Sequence, residues 1–476
     1  MSKHKKSSRK HADPSLHGSS PSLLPHLPAE EVRAQGKGLR EKCPREAHGR
    51  WHPSDARPDP LSLLVESNKG RLPELVPVRH GRMLKSPFTY FRGAALSMAP
   101  DLATTPSTGV RVQACGDAHL LNFGAYATPE RRIAFDINDL DETLPAPWEW
   151  DVKRLATSFV LACRDGGFSE DDARDAALTC VRSYREWMAR YSAMSVLEVW
   201  YASVDVDALM AATKDEETRK RIQKRVAKAR QRSVLEHDFP ELVLNNGVQP
   251  QIKDNPPLIF HQREQSQADF TDNFRRAFER YRETLQEDRR LLLDRYKVVD
   301  FAMKVVGVGS VGTACSIILL MASDSDPLFL QVKQANASVL EPYAGKSLHA
   351  NHGQRVVHGC RMMQSASDIF LGWTEGDLGR QVYIRQLKDM KIKTMIEVFT
   401  PSIMQEYAAV CGWTLAHAHA RSGEPTKISG YLGKSDAFDE AIADFARAYA
   451  DQSEQDHEVL VKAVRAGKID VFTEQE

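Results

Sequence analysis

The chain has 476 residues, 42% of them apolar, which is enough to bury one large or two ordinary domains and excludes global disorder. Its 64 basic and 64 acidic residues cancel, so no net field gathers nucleic acid. Seven cysteines without a CxxC pair, no apolar run of transmembrane length and no h-region behind the basic N terminus point to a reduced, cytoplasmic chain with no membrane span.

Residues 1–50 are rich in Lys, His, Ser and Pro and are expected to form a flexible, solubilising basic arm, with order starting near Trp51. From Val76, the line VPVRHGRMLKSPFTYFRGAALSMAPDL reads as a helical entry segment. It interleaves Arg79, Arg82 and Arg92 with Phe88, Tyr90 and Phe91. Such arginines either clamp a phosphate or base, or pair from behind with acids further along.

Those acids follow at once. Between Cys115 and Asp151 the chain packs Asp117, His119, Asn122, Asp136, Asp139, Asp141 and Glu142 among apolar runs, unlike a solvated loop. An Asp, an Asn five residues on, then a second Asp at the end of an apolar strand (Arg132–Phe135) suits a divalent cation held between phosphates. Asp117 is left to orient or deprotonate a hydroxyl. An EF-hand is excluded at DINDLDE, where Leu140 takes a ligand position and no glycine follows.

Trp148–Asp151 opens an apolar-periodic helix, DVKRLATSFVLACR, where Asp151 caps the helix or accepts hydrogen bonds from the preceding turn. Ser169 and Asp172 form a capping box for a helix to about Ser192. The Lys/Arg run from Thr218 to Arg232 is read as a solvated helix face, and Leu242 to Phe260 as a hairpin or loop. A long helix is expected from about Phe270 to Lys297.

Next, Gly307, Gly309 and Gly312 stand in GxGxxG spacing. A dinucleotide fingerprint must open a helix there. Instead ACSIILLMAS, the turn DSDP and LFLQVKQA predict two strands, the second carrying Lys333. A glycine hairpin whose backbone approaches phosphate, with a lysine on the next strand, matches a kinase phosphate lid. The glutamate that holds such a lysine is missing: Glu341 is close behind, and the helix within Gly353–Phe370 offers Gln354, Arg355 and Asp368. A strand at Gln381–Leu387, a helix from about Ser402 to Arg421 and an amphipathic terminal helix complete the chain. His417 and His419, two residues apart, do not share a helix face and are not read as a metal pair.

GDAHLLNF with FDIND resembles the catalytic loop and metal-binding strand of aminoglycoside-phosphotransferase-type kinases, with Cys115 where that pattern has a His. LAHAHARSG resembles the helix that precedes the loop in such enzymes. From about Pro77 to the C terminus, including SPFTYFRG, the chain also resembles the bacterial family called domain of unknown function 2252, which implies no established activity.

The kinase resemblance implies an α+β, two-lobed protein-kinase-like fold. Its parts occur in reversed order, as a circular permutation would leave them. The expected division is 51–298 helical lobe, 299–400 small antiparallel-sheet lobe and 401–476 helices packing back. The implied activity is ATP- and Mg²⁺-dependent phosphoryl transfer to a hydroxyl acceptor. Gly307, Gly309, Ser310, Gly312 and Lys333 would hold ATP, Asn122 with Asp136 and Asp139 would hold Mg²⁺, Asp117 would act as base, and His119 would brace the turn. The alternatives are a metal-dependent phosphoesterase using Asp117, His119, Asp136 and Asp139 as ligands, a nucleotidyl (AMP) transferase, and a nucleotide-binding pseudokinase scaffold.

Overall fold

Helix Trp148–Asp165 is the axis of the larger half: every residue from Trp148 to Cys163 is buried. A helix apolar or paired on all sides must be surrounded, and three long helices do so. They are Glu170–Tyr191, Pro401–Ser422 and Ala437–Arg465, which share with it one continuous hydrophobic core. The Ser169–Asp172 capping box forms as expected. The computed structural model describes residues 27–473 apart from 213–215, 232–238, 245–249, 257, 262–266, 306, 310, 377–378, 388–390 and 393.

Two expected boundaries move. Of the arm assigned to residues 1–50, residues 1–26 lie outside the described residues; the rest is helical at Ala29–Gly38 and again at Arg45–Gly49, with Gly36, Cys43 and His48 buried. His48 Nε2 and the Tyr431 hydroxyl are 2.8 Å apart, and Arg33 reaches Ser429, so this stretch belongs to the helical half. Composition averaged over fifty residues hid a few small and apolar positions that find partners 390 residues away. The helix expected from Phe270 to Lys297 is two, Gln267–Glu283 and Glu287–Leu293, and Lys297 already starts a strand.

Twelve strands occur among the described residues. β1 (Arg111–Ala114), β2 (Phe123–Ala127), β3 (Ile133–Ile137) and β4 (Leu144–Pro147) form two small antiparallel pairs, β1–β4 and β2–β3. Because Ala114 faces Leu144, the acidic stretch between them is tied at its base. The short β5 (Val243–Leu244) and β6 (Gln251–Ile252) pair with each other.

The remaining strands are β7 (Ile259–Phe260), β8 (Lys297–Lys304), β9 (Cys315–Ser323), β10 (Asp326–Gln334), β11 (Gly372–Glu375) and β12 (Gln381–Gln386). They make one antiparallel sheet in the order β11-β12-β10-β9-β8-β7. The continuous apolar run of β9 follows from burial on both faces. Ile317 and Leu319 pack with Phe239 and Phe329 on one side, Ile318 and Leu320 with Tyr281 and Phe370 on the other. The molecule is thus a mixed α+β fold with a large helical half and small antiparallel sheets. No described helix is long and apolar enough to cross a membrane.

Candidate active site

The glycine stretch lies between β8 and β9 as the connection of an antiparallel hairpin, which excludes the helix-opening alternative. Gly307 and Gly312 both have positive φ, +71° and +85°, a backbone region that side chains other than glycine disfavour. The loop is pinned from across the molecule by the entry segment. Arg82 donates to the Gly307 carbonyl, Arg71 to that of Val311 at 2.5 Å, and the Leu72 N–H to that of Gly312 at 2.7 Å. Val308 buries against Leu64, Met83 and Tyr90, while Val305 and Val311 bury against Leu75 and Val78.

Beside this loop is a cleft of about 460 Å³ whose lining includes Asp117, His119, Asn122, Asp139, Asp141, Glu142, Gly307 and Gly309. Sequence positions near 117 and 307 therefore meet. Gly312 does not line it; its carbonyl and Cα side face Arg71 and Leu72. Ser310 lies outside the described residues.

The turn holding Asp117 is built from helix Trp148–Asp165. Asp151 accepts the backbone N–H of Cys115 at 2.6 Å and of Gly116 at 2.9 Å, and its Oδ2 lies 3.1 Å from His419 Nε2. One helical turn on, Arg154 lies on the same face. Its Nε donates to Asp117 Oδ1 at 2.7 Å and its Nη2 reaches the same oxygen and the Phe91 carbonyl. Both bonds use Oδ1, which leaves Oδ2 without a hydrogen-bond partner among the described residues. Burial pushes the Asp117 carboxyl up to about 6, with Arg154 working against it. Cys115 Sγ lies 3.6 Å from the Asp139 carbonyl, tying the turn to the second acidic segment.

Asn122 donates through Nδ2 to the Asp117 carbonyl at 2.9 Å, so its Oδ1 is available to the cleft. His119 lines the cleft, but not as a brace through its ring. Its carbonyl accepts the Asn122 N–H at 2.8 Å, while Nδ1 is buried without a partner among the described residues. Burial, then Arg92 and Arg154, hold the imidazole well below its ordinary pKa and hence neutral.

The expected metal ligand Asp136 is not in the cleft. It sits inside β3, 1% exposed, and both its oxygens are taken. Oδ2 accepts from the N–H and hydroxyl of Ser365 at 2.7 and 2.8 Å, and Oδ1 from the Ile137 N–H at 2.9 Å. Asp139, two residues past the end of β3, is the one of the two that lines the cleft.

Lys333, on β10, is 3% exposed and ends between two carboxylates: 3.1 Å from Asp139 Oδ1 and 2.7 Å from Asp141 Oδ2. Tyr383 of β12 donates to Asp141 Oδ1 at 2.6 Å and lies 5.4 Å beneath the ammonium. Burial raises Asp139, but Lys333 and then Arg385 outweigh it and hold that carboxyl well below the usual range. Burial and the neighbouring Asp139 raise Asp141.

The glutamate sought behind Lys333 is therefore not needed. Glu341 faces His352 instead, and helix His352–Met363 contributes Arg355. That guanidinium donates to the carbonyls of Thr143, Asp141 and Asn336 at 2.6, 2.8 and 2.8 Å, fixing the backbone of the acids that hold the lysine. Burial pushes Glu142 up to about 7, opposed by Arg355 and by the Val339 N–H, 2.7 Å from Oε2.

Arg154 and Tyr383 were missed as site residues, while Asp141 and Glu142 were named in the acidic cluster without a role. The signal for Arg154 was its i,i+3 spacing from Asp151. The others depend on chain approach that spacing does not encode. A second cavity of about 490 Å³, beside Tyr126, Leu328 and Leu387, includes none of the sequence-predicted site residues.

Among the described residues no three His, Cys, Asp or Glu are grouped to hold a metal ion alone, so the four-ligand set of the phosphoesterase alternative is not assembled. Asn122, Asp139 and Asp141 line the cleft together and offer it oxygen atoms, and both carboxylates pair with Lys333. No curated protein and no solved structure matches the chain. Residues 71–463 match the model of a family described as an uncharacterized protein conserved in bacteria (DUF2252), and the chain belongs to that family.

Proposed function

We propose that this protein is a cytoplasmic, ATP- and Mg²⁺-dependent phosphotransferase acting on a hydroxyl acceptor, built on a circularly permuted, kinase-like arrangement. The observation that supports this reading most is the meeting of Lys333 with Asp139 and Asp141 beside a cleft that also takes in Asp117, Asn122, Gly307 and Gly309. A phosphate lid, a lysine on the next strand and hard oxygen donors are the parts that phosphoryl transfer recruits.

In this reading the backbone of Gly307 and Gly309 approaches the phosphates, and Lys333 exchanges part of its hold on the acids for a phosphate oxygen. Asn122, Asp139 and Asp141 would hold magnesium, which neutralises charge on the phosphates when bound. Asp117 Oδ2 accepts the acceptor's hydroxyl proton, while Arg154 fixes the carboxylate through Oδ1. A base with its pKa near 6 is ionised at neutral pH and still basic enough to assist. Positioning and charge neutralisation supply the rate, without a covalent intermediate.

The test is calorimetric titration with ATP–Mg²⁺ of the wild type, Lys333→Ala and Asp139→Ala, with folding checked by circular dichroism. Both variants should lose binding while remaining folded. A wild type that ignores millimolar nucleotide would overturn the reading.

A further inference from the structure

Four basic side chains line the cleft: Lys69, Arg71, Arg79 and Arg92. Three are committed within the protein. Lys69 pairs with Glu66 at 2.5 Å, Arg71 holds the Ser67 and Val311 carbonyls, and Arg79 donates to Asn68 Oδ1 and the Gly93 carbonyl. Arg92 is different. Among the described residues its guanidinium has neither hydrogen bond nor ion pair; it lies 5.8 Å over the Phe88 ring, and its Nε is buried without a partner.

A half-buried guanidinium left unpaired is unfavourable unless something in the cleft satisfies it. It acts electrostatically on Asp117 and on His119, so its charge is felt where the acceptor hydroxyl would sit. His119, 4% exposed, adds a second orphan in the same cleft: a neutral ring whose Nδ1 has no partner among the described residues. A planar fork of N–H donors suits the oxygens of a phosphate. The carboxylates nearby disfavour a bare organic acid, which brings no cation to offset them.

We propose that Arg92 is the phosphate-oxyanion anchor of this cleft, gripping either the terminal phosphoryl group of the nucleotide or a phosphate carried by the acceptor. This rests on the phosphotransferase reading for its ligand, and deepens it: a phosphate occupies the Asp117 end as well as the glycine-loop end. Arg92 itself takes no proton and forms no bond; it fixes charge and orientation.

The test uses the full chain as wild type, Arg92→Ala and Arg92→Lys, titrated with ATP–Mg²⁺, ADP–Mg²⁺, pyrophosphate, and inorganic phosphate added to the ADP–Mg²⁺ complex. If the anchor holds the terminal phosphoryl, Arg92→Ala weakens ATP about tenfold or more and leaves ADP unchanged. If it holds the acceptor's phosphate, ATP and ADP bind alike in both proteins, and only inorganic phosphate binding is lost. Arg92→Lys, which keeps the charge but not the fork, should recover part of either effect and guards against misfolding of the alanine variant. Wild-type affinities for all four probes in Arg92→Ala overturn the anchor and leave the phosphotransferase reading standing. Arg92-dependent pyrophosphate binding by a wild type that ignores nucleotide supports the anchor and removes that reading. No binding of any probe by the wild type overturns both.

Discussion

Lys333 and Asp139 are 194 positions apart in the chain and 3.1 Å apart in the fold. The contact joins the six-stranded sheet to the acidic stretch of the helical half, and Asp141 closes on the same ammonium at 2.7 Å. One lysine is thus shared between two carboxylates that would otherwise repel each other.

Lys333→Met should lower stability by on the order of 2–3 kcal/mol, less than the roughly 3–5 of a fully buried pair, because the carboxylates are partly exposed. Adding Asp139→Asn and Asp141→Asn to the same chain should restore most of it, since the stranded charges are then gone. Urea unfolding of the three proteins measures both steps. A triple variant no more stable than Lys333→Met would show that the lysine acts through packing alone.

Asp117→Asn should leave folding intact and reduce turnover by about 10²–10⁴, the usual contribution of a positioned base. The wild-type rate should fall as pH drops through about 6, because burial has raised the carboxyl to that value and protonation removes the base. ATP consumption measured against pH, with a responsive acceptor, checks both. A flat profile between pH 5 and pH 8 (roughly one unit below to two above that value) is incompatible with Asp117 as base.

Asp136 and Asp139 should separate cleanly. Asp136→Ala strands the Ser365 and Ile137 N–H groups in the interior and should destabilise by on the order of 2–3 kcal/mol, with Mg²⁺–nucleotide affinity unchanged. Asp139→Asn should do the reverse, weakening Mg²⁺–nucleotide about tenfold or more with a smaller stability effect. Thermal unfolding beside calorimetry decides the matter, and equal loss of affinity in both variants would return Asp136 to the ligand set.

The glycine loop should loosen when its clamp is cut. In Gly312→Ala the new Cβ lies 3.1 Å from that of Arg71 at φ +85°, a strain of about 1–2 kcal/mol. Arg71→Ala removes the donor to Val311. Both should speed amide exchange across 305–313 while the helical core stays protected, as hydrogen exchange with mass spectrometry would reveal. Unchanged loop protection in Arg71→Ala would mean that Arg82, the Leu72 N–H and the valine contacts hold the loop without Arg71.

Much of this protein was written locally. The Ser169–Asp172 capping box, the apolar run and turn that place β9 and β10, and the glycines at positive φ depend on neighbours a few residues away, so composition and turn chemistry reveal them. The role of Asp151 in accepting N–H groups from the Asp117 turn was also in reach, because an acid opening a helix beside a tight turn has few other uses. What only the tertiary structure decided is where those parts meet. That Asp136 turns inward to Ser365 while Asp139 faces Lys333, that Arg154 holds Asp117, and that residues 29–49 dock on the helical half all rest on approaches across tens to hundreds of positions. Such approaches are set by the packing of whole elements and by which buried charges find a partner, and neither quantity is carried by the spacing of residues along the chain.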